Sequence, residues 1–153
     1  MVIPLSLLAA ALAGRPEELR LAATADASIC VHDSERTFNT GASARLRLKG
    51  NEHVLLLDFD ASALRERRVA DARLILRPAG PLKVKTLGVS TVAVPWKEGD
   101  GNAEARPGGV SFLDSGIGPW PGGDFLGATF GRGGSKWRAV EATLEEGGAV
   151  SIP

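Results

Sequence analysis

Hydrophobic and polar residues alternate most regularly across residues 54–78, VLLLDFDASALRERRVADARLILRP, which predicts two strands joined by a short polar turn. In the first, Leu55, Leu57 and Phe59 share one face, and Val54, Leu56, Asp58 and Asp60 the other. The strand is therefore apolar on both sides at its start and polar on one at its end, with Leu55, Leu57 and Phe59 expected in the core. Asp60 stands ahead of the turn, where its carboxylate can accept backbone N–H groups as a cap. After a solvated turn at 65–68, Ala70, Ala72, Leu74 and Leu76 are expected to face inward and Asp71, Arg73 and Arg77 outward, until Pro78 ends the ladder.

Weaker alternation at 21–31 predicts a first strand with Ala25, Ala27 and Ile29 on one face and Asp26 and Ser28 on the other. A charged turn follows at 32–36, and then Phe38-Asn39-Thr40-Gly41, a loop rich in residues that tolerate left-handed backbone. ARLRLK at 44–49 alternates cleanly, with Leu46 and Leu48 inward, before a turn at 50–52. Residues 82–94 predict another strand region, broken or bulged near Gly88. From Pro95 a glycine-rich region reaches Ser135, too long for a simple connection and of the kind that carries binding or is tied down by packing or metal. WRAVEATL at 137–144 reads as a strand or one helical turn, and Val150 to Pro153 as the start of another strand.

With 19 glycines and 9 prolines between aliphatic runs, the composition favours an all-β chain of short strands and long loops. Its 153 residues suffice for one domain. Lysine plus arginine equal aspartate plus glutamate at 18 each, so no net field gathers nucleic acid or an anionic surface. Cys30 is the only cysteine, which excludes an intrachain disulfide and any multi-cysteine zinc or iron–sulfur site. The apolar run from Val2 to Ala13 is too short to span a bilayer. Ending in Ala11-Leu12-Ala13, it matches a signal peptide over 1–14, which leaves 15–153 as a single secreted domain. The competing reading is a buried N-terminal segment, since no lysine or arginine precedes the run and Pro4 lies early in it.

The order Ala25-Asp26-Ala27, Asn39-Thr40-Gly41, Leu46-Arg47-Leu48, the FDASAL turn at 59–64, VADARLIL at 69–76 and Trp96-Lys97-Glu98 resembles the DNRLRE-domain family and related carbohydrate-binding modules. The likeness covers most of residues 22–98. It implies an extracellular, bacterial β-sandwich of jelly-roll type, found beside catalytic or adhesive domains. The family's closing strands have no match before Pro153, so an open sheet edge is expected, covered either by further domains of a longer chain or by another chain.

Three tryptophans are the candidate sugar platforms, because a flat aromatic face stacks on the C–H face of a pyranose. Trp120, within GPWPGG, is the best placed of the three, since its prolines stiffen the loop and its glycines leave room, although packing in the interior is the simpler reading for it too; Trp96 and Trp137 read as packed anchors. Glu98, Asp100, Asp124 and Arg132 are candidate partners for sugar hydroxyls. Asp100, Glu104, Asp114 and Asp124, with glycine carbonyls, could instead ligate a structural calcium, but no DxDxDG spacing is present and solvated loop charge is the simpler reading. Catalysis finds little support. His32-Asp33-Ser34 adjoin in a turn without spatial convergence, Asp58 and Asp60 lie on one strand face and do not flank a substrate, and the glycines at 131–134 lack the lysine of a phosphate loop. His53 is expected to face water and Cys30 to be a small buried side chain. The expected function is a non-catalytic carbohydrate-binding accessory module with a polysaccharide or cell-surface glycan as partner; the alternative is a structural or adhesive module. An exposed Trp120 favours the first and a buried Trp120 the second.

Overall fold

The computed structural model describes residues 17–80, 85–130, 137–145 and 149–153. The expected signal peptide, residues 82–84 and Arg132 lie outside them.

Strand β1 (Ala23–Cys30) pairs antiparallel with β3 (His53–Phe59), and this ladder orders the first half of the molecule. Directly opposed residues of an antiparallel pair share a face. The register sets Ala27 against Leu56 and Ile29 against Val54, and Ser28 against Leu55 and Cys30 against His53. Ala27, Ile29 and Leu56 are buried in one apolar cluster with Val110, Phe112, Trp120, Phe125 and Ala128, and Val54 packs against it. The core face of β3 is thus Val54 and Leu56, opposite to the expected Leu55, Leu57 and Phe59. Periodicity could not choose because β3 is apolar on both faces near its start; the partner strand decides.

Between these strands, β2 (Phe38–Asn39) pairs with β6 (Glu104–Ala105), which draws the glycine-rich region back onto the first half of the chain. A second apolar cluster joins Val140, Val150 and Ile152 with Leu74, Leu76, Leu87, Val89 and Ala142. It is built from the pair β5 (Thr86–Ser90) and β7 (Trp137–Glu141), and from a three-stranded sheet in the order β4 (Leu74–Leu76), β9 (Val150–Ile152), β8 (Thr143–Leu144). The two strand signals of residues 54–78 therefore do not pair with each other: β3 joins β1 and β4 joins β9.

The all-β expectation holds. Strands dominate, and the described residues contain one α-helix, α1 (Phe125–Phe130), besides two short 3-10 turns. The turn after β3 forms as expected, with Ser62 N–H donating to Asp60 Oδ1 at 2.9 Å. Other local expectations are corrected. Residues 44–49 form no strand, although Leu46 and Leu48 are half-buried. Ala70 and Ala72 are exposed outside β4, and β5 runs through Gly88 in unbroken register with Ala139. Strand β9 lies between β4 and β8, and none of the sheets among the described residues closes on itself.

Candidate functional site

The long glycine-rich region converges on Asn39, which β2 carries into the interior with no exposed surface. Its Nδ2 donates to the carbonyls of Glu98 at 2.6 Å and Val110 at 3.1 Å, and its Oδ1 accepts from Gly101 N–H at 2.5 Å. Its carbonyl accepts from Ala103 N–H at 2.9 Å. One amide side chain thus supplies partners for three backbone groups, two in buried bonds and the Glu98 carbonyl in a partly buried one, which would otherwise carry a desolvation penalty. The glycines around it leave no room for a side chain: a Cβ on Gly101 would lie 2.6 Å from Asn39 Oδ1, and one on Gly109 would collide with Asn39 Nδ2. Beyond them, Lys97 N–H donates to Ser115 O at 2.8 Å and Val110 N–H to Lys97 O at 2.7 Å. Of the two roles open to this glycine-rich region, binding or being tied down, its described part shows packing: residues 109–112, 115, 120 and 125 are buried and held by these hydrogen bonds, while 104–108 and 121–123 stay exposed.

Trp120 belongs to the same construction. It is 2% exposed, donates its indole N–H to Ser111 O at 2.9 Å, and meets the Phe125 ring edge-on with centroids 5.4 Å apart. The indole is thus packed in the core, the arrangement expected of the structural reading. Sequence could not distinguish a stiff exposed loop from a tight buried one, since proline and glycine serve both. Phe125 begins α1, and Asp124 caps it by accepting Gly127 N–H at 2.8 Å. Arg36 ties this corner to the strands: its guanidinium carbon lies 4.7 Å over the Phe112 ring, and its Nη2 is 3.7 Å from Asp124 Oδ2.

The remaining candidates do not assemble into one surface. Trp96 is half-buried against the first cluster, and Glu98 Oε1 accepts Asp26 N–H at 3.2 Å. Asp100 is exposed and paired with Arg106 at 2.8 Å, with Glu104 on the same arginine at 3.6 Å. Asp114 accepts Gly116 N–H at 2.7 Å. Asp100, Asp114 and Asp124 each serve a local partner, and among the described residues they do not gather into a metal-ligating group.

The hollow surface lies elsewhere, on the face of β1 and β3 turned away from the first cluster. Ser28 N–H donates to Thr40 Oγ1, and that hydroxyl donates to Ser28 O, both at 2.8 Å. Over this face residues 43–49 bound two adjoining pockets of about 450 and 550 Å³ that share Leu46 and Arg47. The first is lined by Ser43, Arg45 and Asn102 among others; the second by Cys30, Glu35 and His53. At the rim Lys49 Nζ lies 2.6 Å from Glu52 Oε2. That hydrogen bond holds the Glu52 carboxyl below its ordinary range and the Lys49 ammonium above its own. His53, expected to face water, is buried at 9% exposure. Sequence reading missed Asn39, Glu35 and the Cys30–His53 juxtaposition, because each depends on which strand pairs with which.

No protein-family model, curated protein or solved structure matches this chain.

Proposed function

We propose that this chain is a non-catalytic module with a structural or adhesive role in a larger secreted or cell-surface protein, and that its strands belong to a jelly-roll-type sandwich. The burial of Trp120 carries the reading. The residue best suited to stack on a sugar fills the core instead, and the glycine-rich region around it is fixed by Asn39. The resemblance to the DNRLRE-domain family points to the same class of extracellular module.

A carbohydrate-binding accessory role is retained as the second reading, on one observation: the adjoining pockets carry Arg45 and Arg47, whose planar guanidinium groups suit carboxylates and hydroxyls of an acidic glycan. Affinity electrophoresis of the full chain through gels of neutral and acidic polysaccharides tests both. Unretarded migration is expected. Retardation that disappears in an R45A/R47A double variant would overturn the structural reading in favour of the glycan one.

A further inference from the structure

We propose that Cys30, Glu35 and His53 form a binding site for zinc at the base of the larger pocket. The β1–β3 register places Cys30 directly opposite His53 on the face turned away from the first cluster. A 3-10 turn (Asp33–Glu35), closed by Glu35 N–H donating to His32 O at 2.9 Å, brings Glu35 over the pair. The thiol sulfur, a carboxylate oxygen and an imidazole nitrogen all lie within 4.8 Å of one another.

His53 is the independent sign of a ligand. Its side chain is 9% exposed, and both ring nitrogens are buried with no hydrogen-bond partner among the described residues. Nε2 is 3.8 Å from Glu35 Oε2, beyond hydrogen-bond reach. A buried imidazole without partners is disfavoured unless something occupies its lone pair, and a cation between the nitrogen, the sulfur and the carboxylate does so.

Donor chemistry selects the metal. Donors around a tetrahedral zinc stand roughly 3.3–3.8 Å apart, so small side-chain rotations close the observed group onto one ion. Calcium and magnesium favour all-oxygen shells, whereas one thiolate, one imidazole and one carboxylate suit a borderline cation. The fourth position opens into the pocket of about 550 Å³, which His32 also lines. Binding deprotonates Cys30 and releases its proton to solvent.

The test uses the full chain, stripped with a chelator, dialysed and titrated with zinc by calorimetry and with cobalt(II) by absorption. Expected are one equivalent of zinc per chain, a thiolate-to-cobalt charge-transfer band lost in C30S, at least tenfold weaker zinc binding in E35Q and H53Q, and no competition by calcium. Absence of saturable zinc binding, a cobalt spectrum without the thiolate band, or zinc affinity unchanged in E35Q would each overturn the assignment. Glu35 is only half-buried, so E35Q remains interpretable if C30S or H53Q fails to fold.

Discussion

Replacing Asn39 tests the idea that a single amide organises the glycine-rich region. Asn39→Ala leaves the Glu98 and Val110 carbonyls and the Gly101 N–H without their present partner, in a place with no exposed surface. A buried group stripped of its partner costs about 1–3 kcal/mol, and partial relaxation offsets some of three such losses, so a net destabilisation of about 3–5 kcal/mol is expected. That is a large fraction of the roughly 5–15 kcal/mol that holds a domain folded. Asn39→Asp separates hydrogen bonding from volume. The carboxylate can still accept Gly101 N–H but faces two carbonyls with no donor, so at neutral pH it is expected to destabilise at least as much as alanine. The assay is urea unfolding followed by circular dichroism for wild type, N39A, N39D and N102A. Asn102 is exposed and serves as control, with an expected change within about 0.5 kcal/mol. A loss below about 1 kcal/mol in N39A at unchanged m-value would refute the role assigned to the amide.

Further outcomes follow from the same geometry. Trp120→Phe keeps an aromatic ring but orphans Ser111 O, and is expected to cost about 1–3 kcal/mol by urea unfolding; Trp120→Ala adds a cavity, for a total of about 3–5 kcal/mol. Gly109→Ala forces a Cβ into Asn39 and is expected to lose about 1–3 kcal/mol in the same assay, whereas at Gly80 an added Cβ meets nothing within 4 Å. Gly80→Ala is therefore expected to be close to neutral. The backbone hydrogen bond from Ser62 lowers the Asp60 carboxyl below its ordinary value of 3.8. A depressed folded-state pKa stabilises above the unfolded value and loses that contribution as pH falls through the folded one. The melting-temperature deficit of D60A should accordingly be largest near neutral pH and shrink on acidification below pH 4; a deficit independent of pH would contradict the cap.

How much was legible in the sequence depended on the range of the interaction. The Asp60 turn and the strand positions of β1, β3 and β4 follow from local pattern, because alternation and capping act within a few residues. Pairing was not legible. Residues 54–78 read as neighbouring strands, yet β4 meets β9 some 75 positions later, and a three-residue strand carries too little pattern to name its partner. The core face of β3 was lost for the same reason, as both faces are apolar until β1 brings Ala27 and Ile29 to one of them. Helix α1 was hidden by the surrounding glycines, although Asp124 ahead of Phe125 was a usable start signal. The candidate site suffered most. Glycine and proline density marked residues 95–135 as special, but whether such a segment binds a ligand or fills the core depends on Asn39, which lies in another strand.

Native-state hydrogen exchange of the backbone amides between Lys97 and Phe125 tests the central claim most directly. The amides of Lys97, Gly101, Val110, Ser111, Ser115 and Phe125 donate to carbonyls or to Asn39, so protection approaching that of the β1–β3 ladder is expected. Exchange of these amides at rates typical of open loops, while β1 and β3 stay protected, would contradict the hydrogen-bonded packing assigned to this segment.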